Sequence, residues 1–148
     1  ETAARLADHP NIVGVKDSAG SQESLDAFLA VARGRSDFGV LVGPDSLIHH
    51  GLCEGAIGSI SGLGNLLPKT IAAIVAAAAV GDRIAGATHQ EHCSALRKEL
   101  YALGFAPTMV KRALASVMPE VGRSRSPLLI PPELDARIAA IAARYVEE

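Results

Sequence analysis

Lys16 ends the stretch Asn11-Ile12-Val13-Gly14-Val15-Lys16, and Asp17-Ser18-Ala19-Gly20 comes directly after it. Ile12 to Val15 is a short apolar run bounded by Pro10 and a turn cluster. It predicts a buried strand, because β-branched residues suit a pleated surface and the polar flanks end it. An ammonium set against an apolar strand either reaches out to water or gives up its proton. In the first case Lys16 is an ordinary solvated cation. In the second it is a nucleophile that can condense with a carbonyl to form a Schiff base. Further polar and glycine residues recur at comparable places. Gly43 and Asp45 come after a second apolar run, and Ser59 and Ser61 close a third.

A series of strands and helices must position these residues. Residues 2–8 predict the end of a helix, closed at His9-Pro10, since the residue before a proline is pushed out of the helical region. A strand is predicted from Ile12 to Lys16. Ser21 is placed as an N-cap. Leu25, Phe28, Leu29 and Ala32 recur at helical spacing, which predicts an amphipathic helix over Gln22–Ala32 with Gly34 just past its end. Phe38–Val42 is the second strand. Asp45 or Ser46 is placed to cap a short helix over Leu47–Leu52. Ala56–Ser61 is the third strand, with a glycine-bearing loop over Gly62–Asn65 after it.

From there only helices are predicted. Lys69–Val80 comes after Pro68 and ends at Gly81. A longer helix runs from Asp82 to Gly104, with Ile84, Ala87, Leu96, Leu100 and Leu103 inward. Another starts at Pro107, with Val110, Ala113, Leu114 and Val117 on one face. After a proline-bearing connector over Arg123–Pro132, the last helix spans Glu133–Val146 and buries Leu134, Ile138, Ile141 and Tyr145. Strands alternating with helices imply parallel βαβ units with right-handed crossovers. Three such strands cannot close a barrel, and their edges need cover. Lys16 and Ser18, Gly43 and Asp45, and Ser59 and Ser61 all fall at strand C-termini. In barrels and open α/β sheets alike, that end carries the site.

Bulk properties narrow the classes. The 148 residues suit one domain, and 49% hydrophobic with 20% charged residues fits a protein with a real core. A net charge of −2 without a basic block leaves no electrostatic footprint for nucleic acid. The longest apolar run, Ile71–Val80, is too short to span a bilayer. Cys53 and Cys93 stand far apart in no metal-like spacing, which suggests a reducing, cytoplasmic setting without a disulfide framework. The chain opens on Glu1, inside what reads as a helix already under way, so a longer parent chain is expected.

Other chemistry-bearing residues weigh less. His89 and Cys93 lie four apart on one helix face, but no third metal ligand is evident, so no metal is expected. His49 and His50 read as a solvated pair near the strand ends. Arg123 and Arg125 read as surface charge. Gly62-Leu63-Gly64-Asn65 is too short for a dinucleotide fingerprint.

Taken together, the stretches resemble a known family. Asn11 to Ser18 resembles the Schiff-base segment of the dihydrodipicolinate synthase / N-acetylneuraminate lyase family of class I aldolases. Gly43-Pro44-Asp45, the stretch Gly55 to Asn65 with Pro68, and Arg125-Ser126-Pro127-Leu128 with Pro131 resemble that family's later segments, in the same order and spacing. The resemblance implies an α/β chain forming the last three strands of a (β/α)8 barrel over residues 1–81, with appended helices over 82–148. A barrel of that kind takes roughly 250 residues, so its first part lies outside this sequence. The family's carboxylate-binding loop and its proton-shuttling tyrosine belong to that part. Tyr101 and Tyr145 stand in no matching context and read as packing residues.

By the same resemblance Lys16 is the Schiff-base lysine, which attacks the keto carbon of pyruvate or another 2-keto acid. Ile12, Val13 and Val15 would help keep its amine dry. Ser18, Gly43, Asp45 and Ser59 match positions that touch the rest of the substrate, and Ile60 one whose backbone contacts the keto acid. Each also has a plainer reading: Ser18 and Asp45 as turn or capping residues, Gly43 as a tight turn, Ser59 as a small core residue. The implied reaction makes or breaks a C–C bond between a 2-keto acid and an aldehyde, without a cofactor, in a homo-oligomer, usually a tetramer. Lys-Asp-Ser after the strand, and the absence of an Asn-Pro pair at Phe105-Ala106-Pro107-Thr108, favour the general lyase and aldolase branches. 4-Hydroxy-tetrahydrodipicolinate synthase proper is the alternative. A non-catalytic chain that needs a partner to complete its barrel is the other. The 148 residues alone are expected to be inactive.

Overall fold

Ser21 sets the first long helix in place: its Oγ accepts a hydrogen bond from the Ser24 amide at 3.1 Å. In the computed structural model, which describes residues 1–146, that helix, α2, spans Gln22–Ala32, the range its periodicity predicts. Before it come a short helix, α1 (Thr2–Ala7), and strand β1 (Gly14–Asp17). Strand β2 (Gly39–Val42), helix α3 (Ile48–Cys53) and strand β3 (Gly58–Ser59) come next. The remainder is helical: α4 (Pro68–Ala79), α5 (Arg83–Tyr101), α6 (Ala106–Val117) and α7 (Asp135–Tyr145).

The strands form one parallel sheet in the order β1-β2-β3. Lys16 pairs with Leu41 and Leu41 with Gly58, so these residues form one row across it; the next row is Asp17, Val42 and Ser59. Side chains alternate between faces along a strand. Val40 and Val42 are fully buried among the core residues, so the rows on either side of Val42 face the opposite way. The core runs continuously from Leu25, Val40 and Ile48 through Leu63 and Ile74 to Leu96, Leu100, Ala113, Ile138 and Ile141. It thus joins the sheet to the later helices.

Several expectations are corrected. The third strand is shorter than expected, Gly58–Ser59, although the flanking Ile57 and Ile60 amides still donate to the Val40 and Val42 carbonyls of β2, each at 2.9 Å. Asp45 and Ser46 cap nothing: Asp45–Leu47 is a 3-10 turn running into α3 without a side-chain cap. Asp82 does cap α5, accepting from the Ala85 amide at 3.0 Å. Ile84 nevertheless stands 83% exposed in its first turn, on the side away from the packed face, and the buried residue there is Gly86. A Cβ on Gly86 would run into the His49 ring, so the helices approach closely at that point, and His49 is not a solvated residue. Val117, at the end of α6, is likewise exposed.

Candidate active site

β1 lies at one edge of the sheet and delivers Lys16 at its C-terminal end. The residues just past the lysine are tied down. Asp17 is buried, and its Oδ1 accepts from the Ala19 amide and the Ser24 hydroxyl, both at 3.1 Å. The strand end is thereby stapled to the first turn of α2. The Gly43 amide donates to the Asp17 carbonyl at 2.8 Å, which sets the exit of β2 beside it. A Cβ at Gly43 would overlap the Asp17 carbonyl oxygen and Ser18 Oγ and lie 3.1 Å from Lys16 Cε. Glycine is required there because lysine, serine and backbone converge on that point.

These residues border a cavity of about 870 Å3. Lys16, Ser18, Gly43, Asp45 and Ile60 line it from the strand side, and Arg97, Tyr101, Val110 and Lys111 from α5 and α6. Five of the six sequence-predicted site residues therefore come together. Ser59 sits apart, paired with Val42 on the row turned from Lys16. The Ile60 amide donates to the Val42 carbonyl at 2.9 Å, so any further contact from its backbone runs through its own carbonyl.

Lys16 is exposed, as is Val13 at 73%. Within these 148 residues β1 has no neighbour on its outer side, which leaves that flank of Lys16 open. An apolar run reads as buried on both faces, and an edge strand leaves part of it open.

Asp45 is the best-held polar group in the cavity wall. It is 5% exposed. Its Oδ1 accepts from the Ser61 hydroxyl at 2.5 Å and the Leu63 amide at 3.3 Å. Its Oδ2 accepts from the Tyr101 hydroxyl at 2.8 Å. Gln90 Nε2 donates to the Asp45 carbonyl at 2.9 Å while Gln90 Oε1 accepts from the His49 amide, locking this loop to α5. Burial raises the Tyr101 hydroxyl's pKa, and the nearby Asp45 charge and their hydrogen bond raise it further. The phenol is thus held as a donor. Arg97 lies over the Tyr101 ring, 5.4 Å from its centroid. Tyr101 is the residue that sequence reasoning missed, since a lone tyrosine on an amphipathic helix looks like packing. Its partner lies 56 positions upstream, and no local pattern joins them.

His89 and Cys93 form no metal centre: among the described residues no group of three His, Cys, Asp or Glu side chains converges. Cys93 is a core residue whose thiol burial pushes up to about 12. Among the described residues no helix is long and apolar enough to cross a membrane.

A parallel α/β sheet thus presents a lysine at a strand end to a cavity walled by later helices. Residues 1–140 match the dihydrodipicolinate synthetase family, and the chain belongs to it. It is 32% identical to a 4-hydroxy-tetrahydrodipicolinate synthase of Methanospirillum hungatei, an alignment covering 96% of this chain and 48% of that protein. It superposes on the dihydrodipicolinate synthase of Bacillus anthracis with a TM-score of 0.84 at 25% identity, covering 99% of this chain and 49% of the other. A Ruminococcus gnavus sialic acid aldolase, solved as a catalytic lysine mutant, shares the fold with a TM-score of 0.82 at 20% identity, covering 95% and 47%. The chain spans about half the length of each of these proteins.

Proposed function

We propose that the protein containing this chain is a class I aldolase or lyase whose Lys16 forms a Schiff base with pyruvate or another 2-keto acid. The observation that carries this reading is the convergence of Lys16, Ser18 and the Gly43 backbone at the mouth of the cavity, where no side chain fits at position 43. The neutral amine adds to the keto carbon and water leaves. The resulting protonated imine draws electrons from the neighbouring bond, so a carbanion next to it can form or be captured. The C–C bond to an aldehyde is then made or broken. On this reading Ser18 and the Ile60 backbone, which both line the cavity, contact the bound acid. Asp45, with both carboxylate oxygens occupied, holds the loop. On this reading the chain supplies the last strands and appended helices of a (β/α)8 barrel, and the parent enzyme is a cytoplasmic homo-oligomer. Family membership and the named lysine of the sialic acid aldolase support it.

The test is the intact mass of the full-length protein after pyruvate and borohydride. A stable adduct mapped to Lys16, and absent in Lys16→Ala, is the expected result; an unmodified Lys16 would refute the reading. Relatives named 4-hydroxy-tetrahydrodipicolinate synthase favour a second reading, in which the aldehyde is that enzyme's substrate. Comparing turnover with that aldehyde and with simple sugar-derived aldehydes separates the two.

A further inference from the structure

Apart from the cavity of Lys16, helix α3 holds a second pair of reactive side chains. His49 and Cys53 stand four residues apart on it, which puts them on one face. His49 Nε2 and Cys53 Sγ lie 3.4 Å apart. Neither residue lines the cavity. Cys53 is a free, half-buried thiol within reach of solvent, whereas Cys93 is enclosed in the core.

The imidazole is held in place by α5. The His49 amide donates to Gln90 Oε1 at 2.9 Å. The ring packs so closely on Gly86 that a Cβ there would come within 2.5 Å of Cδ2 and 2.7 Å of Nε2. The ring edge that carries Nε2 is therefore set before any ligand arrives, and it is set toward the thiol. The neighbouring His50 is engaged elsewhere, with Asp26 at 2.7 Å.

A thiolate sulfur and a neutral imidazole nitrogen are the donors that zinc and similar thiophilic divalent cations take. The bonds run to about 2.3 Å for sulfur and about 2.0–2.1 Å for nitrogen, at tetrahedral angles. Two such bonds from one ion place sulfur and nitrogen about 3.5 Å apart. The 3.4 Å between Sγ and Nε2 matches that bite, so neither side chain has to move far. Binding forms the metal–sulfur and metal–nitrogen bonds and breaks the S–H bond of Cys53. The one proton released goes to solvent.

We propose that His49 and Cys53 form a binding site for a thiophilic divalent cation of the zinc or cadmium kind. No third His, Cys, Asp or Glu joins them among the described residues. Water completes the shell, which makes the site open and exchangeable, unlike a structural zinc centre with four protein ligands. The site does not draw on the reading of Lys16 as a Schiff-base nucleophile.

The experiment titrates the full-length protein with Co2+, whose bond to a thiolate gives a charge-transfer band in the near ultraviolet. The band is expected in the wild type and is expected to vanish as Zn2+ displaces cobalt. Cys53→Ser should remove it. Gly86→Ala, which pushes the ring from its seat, should weaken cobalt binding roughly 10- to 100-fold, as loss of an outer support does. His49→Gln, which removes a ligand, should weaken it at least as much. His89→Gln should leave it as in the wild type. A separate readout needs no variant: Zn2+ should slow the alkylation of Cys53 by iodoacetamide, followed by peptide mass. Absence of the band in the wild type overturns the site. So does a band that survives Cys53→Ser, or binding that His49→Gln or Gly86→Ala leaves unmoved. Should a variant fail to fold, alkylation of wild-type Cys53 at one rate with and without Zn2+ overturns the site by itself.

Discussion

Gly43 and Tyr101 carry the arguments that belong to single residues. A methyl at position 43 would enter the space of the Asp17 carbonyl and press on Lys16 Cε, so Gly43→Ala must move backbone. It is expected to lower stability by ~1–3 kcal/mol and to abolish trapping of pyruvate on Lys16; a urea melt and the adduct mass check the two effects. Tyr101→Phe leaves Asp45 Oδ2 without its donor, at a cost of about 1–3 kcal/mol. It should also change the alkaline behaviour. Tyr101 binds its proton more tightly when folded than when unfolded, so its contribution is whole below its ordinary pKa of 10.0 and is lost as pH rises through the higher folded value. Thermal melts of the wild type should therefore fall more steeply above pH 10 than those of Tyr101→Phe. Parallel curves would show that the phenol does not ionise against Asp45.

At the scale of elements, legibility tracked the range of the forces involved. α2 was readable because its cap, its apolar spacing and its glycine exit all lie between Ser21 and Gly34, and each is local. Ser21→Ala should cost about 1 kcal/mol for the same reason, read as a shift in the urea midpoint. Val117 was misplaced because helical spacing says which residues share a face, not how far along the helix a neighbour extends; Ile84 was misplaced because, at ~100° per residue, it lies nearly opposite Leu100 on α5. Val13 is exposed because β1 is an edge strand within these 148 residues, which an apolar run does not disclose. Of the site, Lys16 and Gly43 were legible, sitting where strands end. Tyr101, Arg97 and Lys111 were not, because they reach the cavity only through packing of α5 and α6 against the sheet. α7 is docked by ion pairs of Arg112 with Asp135 and Arg144 with Glu99. Arg112 holds the Asp135 carboxyl below its usual range; Tyr145 and then Arg144 do so for Glu99. Both groups are depressed in the fold, so their contribution exists above their ordinary values of 3.8 and 4.5 and fades as pH falls through the lower folded ones. Faster amide exchange in α7 than in α5 below pH 4 is the expected result, checked by hydrogen exchange at matched intrinsic rates.

For the whole molecule, the open side of β1 dominates. Leu6, Ile12, Val15, Phe28 and Phe38 border a largely apolar cleft of about 560 Å3 there. An unpaired strand edge beside apolar surface invites association. The 148-residue chain alone is expected to self-associate and to show no aldol turnover, as judged by light scattering and a pyruvate-release assay. A monodisperse monomer with turnover comparable to full-length relatives would contradict this.

Asp45 belongs to a strand loop, but the phenol that satisfies it arrives from α5, after the last strand has finished. A protein engineer trimming this scaffold toward its strand layer would therefore strip Asp45 Oδ2 of its donor on cutting anywhere before Tyr101, leaving only the bonds from Ser61 and Leu63 to Oδ1. A workable minimal version has to keep the chain through that tyrosine or exchange Asp45 for a neutral side chain in the same step.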